Sequence, residues 1–493
     1  MIPKLAGNLY SCEQVRLLDR EAIEQYHIPG AVLMERAGEA AFHLLRQNWP
    51  EAKRIVVLCG LGNNAGDGYV VARLAKHTGL QVEVVQLGES EHLKGDALQM
   101  YRAAYQADVE MKVYRQGDLP FADVYVDALF GTGLQRTVES PWADVIRELN
   151  VSDVPVLAID VPSGLNADTG VPLGVAVKAT RTITFIGIKK GLMTAYGADY
   201  CGQVCFDDLR IPHAVYDAVN PVGVISETAV WQSWLAPRRA SAHKGDHGTV
   251  LLIGGNLGMS GAIMLAAHAA LRCGAGRVVV ATRAQHAVAI SQYCPEVMAH
   301  GVESAQALIP LLQEADVIAL GPGMGRDQWA QDLWMQATAE DKVSVLDADA
   351  LRLLASHPKR GNWVLTPHPG EAGGLLGYAA SQIQADRFDA VHSIQQRYGG
   401  IVVLKGAGSL IKADAQEIVV CNKGNPGMAT AGMGDVLTGV IAALLAQGLS
   451  RAQAAIAGVE VHAMAADLAA KKGQRGLIAR DAIDALRSLV NPQ

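Results

Sequence analysis

The chain has 493 residues, half of them apolar and 18% charged, with a formal net charge of −7. That balance excludes a disordered chain, and the negative charge excludes the basic face that nucleic acid or an anionic membrane requires. One compact core does not grow to this length, so roughly two to four units are expected.

The amino terminus reaches Glu13 and Asp19 before any apolar run of signal-peptide length, and no segment approaches the ~20 apolar residues of a membrane span. A cytoplasmic protein that is not embedded in a membrane is therefore expected. Seven cysteines, an odd number with no CxxC pair, argue against a disulfide framework and a zinc site. Cys201 and Cys205 read as small core residues.

A first helix opens at Ser11, whose spacing to Gln14 is that of a capping box, with Val15, Leu18 and Ala22 recurring on one face. A second helix follows Pro29-Gly30. Short apolar runs at 55–59, 82–87, 124–126, 156–159 and 182–186 then alternate with helical patterns, which predicts a mostly parallel sheet covered on both faces. From Leu209 to about Ser241 prolines and clustered basic residues break the alternation and read as a connection between domains. A second series follows at 250–253, 278–281, 317–320, 343–346, 363–365 and 401–404. The division is thus two α/β domains, residues 1–220 and 221–493.

Ligands of open parallel sheets bind beyond the carboxyl ends of the strands, so the residues after each apolar run are the candidates for chemistry. In the first half these are the glycine-rich turn 60–68, Asp127 before "ALFGTGLQRTV", Asp160 opening "DVPSGLNADTG", and Lys189 after the fifth strand. The Gly60-x-Gly62-x-x-Ala65 spacing fits a dinucleotide-binding turn, and Asp67, placed in the first helical turn, suits the helix dipole but repels an arriving phosphate. Asp127 and Asp160 together describe a polar cleft that handles protons or a cation; singly, each is also a candidate helix cap.

The second half repeats the layout in "VLLIGGNLGMSGAIMLAA", "IALGPGMGR", "VLTPHPGEAGGLL" and "VVLKGAGSLI", the last placing Lys405 in a tight strand-to-strand turn. In "NKGNPGMATAGMGDVLTGVIAALLAQG" the glycines of Gly432-Met433-Gly434 lead into an apolar helix, whose free amides suit a transferring phosphoryl group. Asp435, in the first turn, is a candidate acceptor for a hydroxyl proton. The blander alternatives are that His368 orders its own turn, Lys405 is solvated, and Asp347 and Asp349 are caps.

The motifs "LMERAG", "GNNAGDGYVVARLA", "DALFGTGL" and "IDVPSGLNADTG" resemble the NAD(P)H-hydrate epimerases. "GPGMG", "TPHPGE", "VLKGAGS" and "NPGMATAGMGDVLTG" resemble the ADP-dependent NAD(P)H-hydrate dehydratases of the ribokinase-like group. Together they span nearly the whole chain in the order of the bifunctional repair enzymes. The resemblance implies a Rossmann-like three-layer epimerase domain at 1–220 and a ribokinase-like dehydratase domain at 221–493. Together they would return water-damaged NADH and NADPH to the intact coenzymes, with phosphate and AMP released when ADP is the donor.

By the same resemblance, Asn63, Asn64, Ala65, Gly66 and Asp67, together with Gly131, Thr132, Gly133, Leu134, Gln135, Arg136 and Thr137, surround the substrate, with Asp160 at the reacting centre. Asn64, Asp127 and Ser163 match potassium ligands, and Arg136 is a phosphate contact. In the second domain Ala262, Gly323, His368 and Asp435 align with substrate positions. Lys405, Gly406, Ala407, Gly408 and Ser409 match the ADP-contacting turn, joined by Gly434. Asp435 is the base, and magnesium is expected with the nucleotide. Ala65 stands where relatives carry glycine, so its methyl is expected to limit backbone approach to the ligand. A homo-oligomer acting on small molecules is expected. The alternatives are a small-molecule kinase, and a first domain that only binds a ligand or docks a protein.

Overall fold

The computed structural model describes residues 7–355, 357–414 and 416–491. The chain divides between Val224 and Ile225 into two compact units.

In the first unit the strands lie in the order Glu110–Val113, Gln81–Gln86, Arg54–Cys59, Val124–Ala128, Val156–Ile159, Arg181–Phe185 and Gln203–Asp207, all parallel. Helices cover both faces, which is why Val124–Ala128 is buried at every position, Asp127 included. The order reverses between Arg54–Cys59 and Val124–Ala128, and the crevice over that switch point is where the next loops meet. The outer strands Glu110–Val113 and Gln203–Asp207 escape the sequence pattern, because edge strands are polar and half-exposed.

The second unit carries the strands Met298–Gly301, Arg277–Thr282, Thr249–Ile253, Val317–Leu320, Val343–Leu346, Trp363–Leu365 and Ile401–Leu404 in parallel. Ser409–Lys412 and Ile418–Cys421 continue that sheet antiparallel. Its order reverses between Thr249–Ile253 and Val317–Leu320. The apolar helix Met433–Ala446 is buried over most of its length, packed into the core with Arg451–Ala470.

Two readings of the sequence change. Residues 209–219 are not a connection: Leu209, Ile211, Val215 and Tyr216 belong to the first unit's core. Trp231, in the short helix Thr228–Gln232, is fully buried in the second unit's core. Prolines interrupt the periodicity there without exposing the chain. Cys201 is buried and Cys205 half-buried, and all seven cysteines are free.

Candidate active sites

The turns leaving Arg54–Cys59 and Val124–Ala128 open onto a cavity of about 960 Å³. Asn63, Asn64, Asp67, Asp160 and residues 131–136 line it, including Gly131, Thr132, Gly133, Leu134, Gln135 and Arg136; Ala65, Gly66 and Thr137 do not. Ala65 is fully buried in the core, so its methyl packs there and does not line the cavity. Gly66 serves packing, since a Cβ there would lie 2.3 Å from the Met34 sulfur. The helix begins at Asn63, with Gly62 as its cap. Asp67 therefore stands in the second turn, beyond the first-turn amides, and not in the first. Burial, then Asp160 and Asp19, push its carboxyl well above the usual range.

Asp160 caps no helix. Its backbone has φ +66°, a left-handed conformation that costs a non-glycine residue about 1–3 kcal/mol. The Asp160 amide donates to the Ile183 carbonyl at 2.7 Å. The carboxylate is ion-paired with Lys189 and accepts a hydrogen bond from Thr184 Oγ1 at 3.3 Å. Lys189, only 1% exposed, also donates to Thr184 Oγ1 at 3.1 Å and the Phe185 carbonyl at 3.0 Å. A buried ammonium held by three oxygens fixes the charge beside Asp160. Its signal was the lysine closing the apolar stretch "TFIGIK". Asp19, whose burial raises its pKa to about 6 against the pull of Lys189, also lines the cavity. It lies one turn beyond Val15 on the buried face of Cys12–Glu24, and that inward placement was the only trace it left in the sequence.

Asp127 is likewise no cap: it lies inside its strand, fully buried. Its Oδ1 accepts from Ser163 Oγ at 2.6 Å and the Leu129 amide at 3.2 Å, and its Oδ2 from the Ser163 amide at 2.8 Å. Asn64 Nδ2 donates to the Phe130 carbonyl at 3.0 Å, while Asn64 Oδ1 is buried without a partner. Burial lifts the Asp127 pKa to about 6, with no basic side chain paired to it among the described residues. An orphaned amide oxygen beside a buried carboxylate and a hydroxyl is an oxygen donor set that fits a hard cation. No group of three or more His, Cys, Asp or Glu side chains suited to a metal occurs among the described residues.

In the second unit Lys405 Nζ lies 2.7 Å from Asp347 Oδ1 and 3.7 Å from Glu371 Oε2. Lys405 is therefore paired, not solvated, and Asp347 is a buried hub and not a cap. Thr366 and Thr438 each donate to Asp347 from 2.9 Å. Burial works to raise the Asp347 pKa, but Lys405 and the two hydroxyls hold it below the usual value. Burial pulls Lys405 down, yet Asp347, Glu371 and Asp435 hold it up. Asp349 likewise is not a cap for its own helix: it accepts the Gly325 amide at 2.8 Å. His368 does order its turn, its Nδ1 accepting the Gly370 amide at 2.9 Å, while its Nε2 lies 3.3 Å from Glu371.

The helix Met433–Ala446 starts from Gly432 at φ +89°. A Cβ on Gly434 would sit 3.2 Å from Lys405 Nζ, closer than ordinary van der Waals contact, and 3.5 Å from Asp347 Oδ2, so the helix start faces that ion pair closely. Asp435, half-exposed in the first turn, has a pKa raised to about 7 by burial and then by Asp347, partly offset by Lys405. Ala262 and Gly323 meet across the switch point, since a Cβ on Gly323 would lie 3.2 Å from Ala262 Cβ. The 405–409 turn, comprising Lys405, Gly406, Ala407, Gly408 and Ser409, joins two antiparallel strands. Buried Arg387, absent from the sequence reading, donates to the carbonyls of Leu404, Lys405 and Gly408 beneath that turn, at 3.2 to 3.4 Å.

Two parallel-sheet units, each with carboxylates gathered at the carboxyl edge beside glycine-rich turns, define a two-domain α/β enzyme. The family model for the YjeF-related protein N-terminus matches residues 30–191, and that for NAD(P)H-hydrate dehydratase matches residues 250–488. The bifunctional NAD(P)H-hydrate repair enzyme of Coxiella burnetii is 48% identical over 98% of this chain and 99% of its own length. That of Escherichia coli is 41% identical over 98% and 94%. A ribokinase-like superfamily protein of Enterococcus faecalis superposes over 55% of this chain and 96% of its own, at 27% identity and a TM-score of 0.50. The chain belongs to the family of bifunctional NAD(P)H-hydrate repair enzymes, with an epimerase-type first domain and a ribokinase-like dehydratase domain.

Proposed function

We propose that the first unit interconverts the R and S hydrates of NADH and NADPH and that the second dehydrates the S form with ADP, releasing phosphate and AMP. The observation that carries this reading is the presence, in two separate units, of one carboxylate set beside a lysine at the edge of a parallel sheet: Asp160 with Lys189, and Asp435 near Lys405.

In the cavity, the hydroxyl-bearing carbon adjoins the ring nitrogen, so loss of hydroxide leaves a nitrogen-stabilised cation. The Asp160–Lys189 pair, which holds one proton on its ammonium, passes that proton through Asp160 to the departing hydroxyl and regains one from the water that returns on the other face. Lys189 keeps the carboxylate oriented through the cycle. Asn63, Asn64, Asp67 and residues 131–137, with Thr137 just beyond the lining, enclose the substrate. Potassium on Asn64, Asp127 and Ser163 would supply positive charge to a buried carboxylate; the orphaned Asn64 oxygen supports that assignment.

In the second unit hydroxide is a poor leaving group, and phosphoryl transfer to the hydroxyl makes it a good one. Asp435 takes the hydroxyl proton, and a pKa near 7 suits a base that must accept and release it at neutral pH. The amides of Gly432 to Gly434 and the Lys405 ammonium stabilise charge growing on the phosphoryl oxygens. The 405–409 turn and Gly434 meet the nucleotide, while Ala262, Gly323 and His368 bound the substrate. Magnesium bound through the phosphates would offset repulsion between nucleotide and attacking oxygen.

A cytoplasmic homo-oligomer is part of the same reading. Free cysteines, the absence among the described residues of a helix long and apolar enough to cross a membrane, and the exposed Leu17, Tyr26 and Val32 support it; light scattering tests the assembly. The functional test is incubation of the full chain with each hydrate epimer, with ADP and ATP in separate reactions. NADH absorbance returning with stoichiometric phosphate is expected. A stable phosphorylated hydrate would instead mark a kinase.

A further inference from the structure

The amino-terminal helix Cys12–Glu24 lies outside the matched span of the epimerase family model, which begins at residue 30. Its position is nonetheless fixed from both ends of its first turn. Leu9 and Tyr10 pair in parallel with Ile188 and Lys189, which ties the approach to the helix to the strand that carries the Asp160 partner. Ser11 and Gln14 close a capping box, and the Cys12 amide donates to Asp168 Oδ1 at 2.8 Å. With the start anchored, the i, i+4 pair Arg16 and Arg20 is presented along one face of the helix, and both side chains line the 960 Å³ cavity.

Their surroundings are unusual for arginine. Arg16 Nη2 donates to the Thr132 carbonyl at 3.2 Å, on the loop that also brings Arg136 to the cavity. None of Arg16, Arg20 and Arg136 forms an ion pair among the described residues. All three are exposed, whereas Asp19, Asp67 and Asp160 are at least half-buried in the same cavity. Of the other acids that line it, Asp96 sits against Gly30, and Glu24 is exposed. The cavity is therefore sorted by depth: Asp19, Asp67 and the Lys189-paired Asp160 lie inside, and the three guanidinium groups, with Glu24, lie at the surface. Carboxylates repel phosphate and favour a ring that becomes cationic, whereas free guanidinium forks are built for phosphate oxygens.

We infer that Arg16 and Arg20 bind a phosphate group of the dinucleotide, so that the amino-terminal helix orients the substrate ring-first toward Asp160. This rests on the epimerase reading above. The phosphate is either in the pyrophosphate bridge, common to both coenzymes, or the 2′-phosphate of the NADPH hydrate; the recognising chemistry is the same.

The test compares the full chain with Arg16→Gln/Arg20→Gln and Arg16→Lys/Arg20→Lys, measuring epimerisation of the hydrates of NADH, NADPH and reduced nicotinamide mononucleotide. The double glutamine variant is expected to raise KM roughly ten- to a hundredfold, the loss of one or two charge-assisted hydrogen bonds, with kcat at saturation within about twofold. The lysine variant recovers part of that loss. A rise for both dinucleotides assigns the pyrophosphate, and a rise for the NADPH hydrate alone assigns the 2′-phosphate. Unchanged KM for all three substrates in the glutamine variant, or a fall in kcat alone, overturns the inference. A wild-type chain inert toward every hydrate would instead overturn the epimerase reading itself.

Discussion

Asp160 and Asp435 each stand among other carboxylates at the edge of a parallel sheet, yet their neighbours give them opposite settings. Asp160 is clamped: a left-handed turn fixes its backbone and a buried ammonium pairs with its side chain. Asp435 rides the first turn of a helix, and the lysine nearest it is already engaged by Asp347 and Glu371. On the proposed mechanism the first arrangement keeps one carboxylate oriented while a ring changes face above it. On the same mechanism the second leaves a base poised to pick up a proton, because the ammonium beside it is held by other carboxylates. Residue type does not distinguish these settings; the ownership of the neighbouring lysine does.

Removing one carboxylate at a time tests that contrast most severely. Asp435→Ala should lower dehydration by roughly 10³-fold or more while epimerisation stays within about twofold, and Asp160→Asn should do the reverse. Lys405→Ala should reduce dehydration by about 10²-fold. Its pH profile sharpens the point. Asp435 must be ionised to accept a proton, so wild-type activity should climb with pH through a midpoint near its raised pKa of about 7. Because Lys405 lowers that pKa, the midpoint should move to higher pH in the variant; an unmoved limb would detach Asp435 from the profile.

Smaller effects probe the supports. Gly434→Ala places a methyl 3.2 Å from Lys405 Nζ, and turnover should fall about tenfold with little change in Tm. Potassium should raise the melting temperature of the wild-type chain by a few degrees, a shift that Asp127→Asn abolishes. Ser163→Ala removes the hydroxyl that bonds Asp127 and the Phe130 amide, and should cost about 1–3 kcal/mol in denaturant unfolding.

Much of the scaffold was legible in the sequence. Runs such as 156–159 and 317–320 coincide with the strands, because buried parallel strands are apolar on both faces and stand out against amphipathic helices. Strands of half-exposed composition, such as Glu110–Val113 and Met298–Gly301, carry no such contrast. Carboxylates after strands could be picked out by position, but not the partners that decide their behaviour. Lys189 and Asp347 acquire meaning only from contacts across the fold, 29 residues away for Lys189 and Asp160, and 58 and 91 for Asp347 with Lys405 and Thr438. Arg387 was invisible for the same reason, since a helical arginine gives no hint that its guanidinium will lie buried under a distant turn.

The central claim is that two carboxylate sites in separate units act in succession on one substrate. Mixing Asp160→Asn with Asp435→Ala, and following conversion of the R hydrate to NADH with ADP above the uncatalysed rate, tests it directly. Neither variant alone should return the R hydrate to NADH, and the mixture should restore that conversion to near the wild-type rate. A mixture no faster than the better single variant would contradict the account.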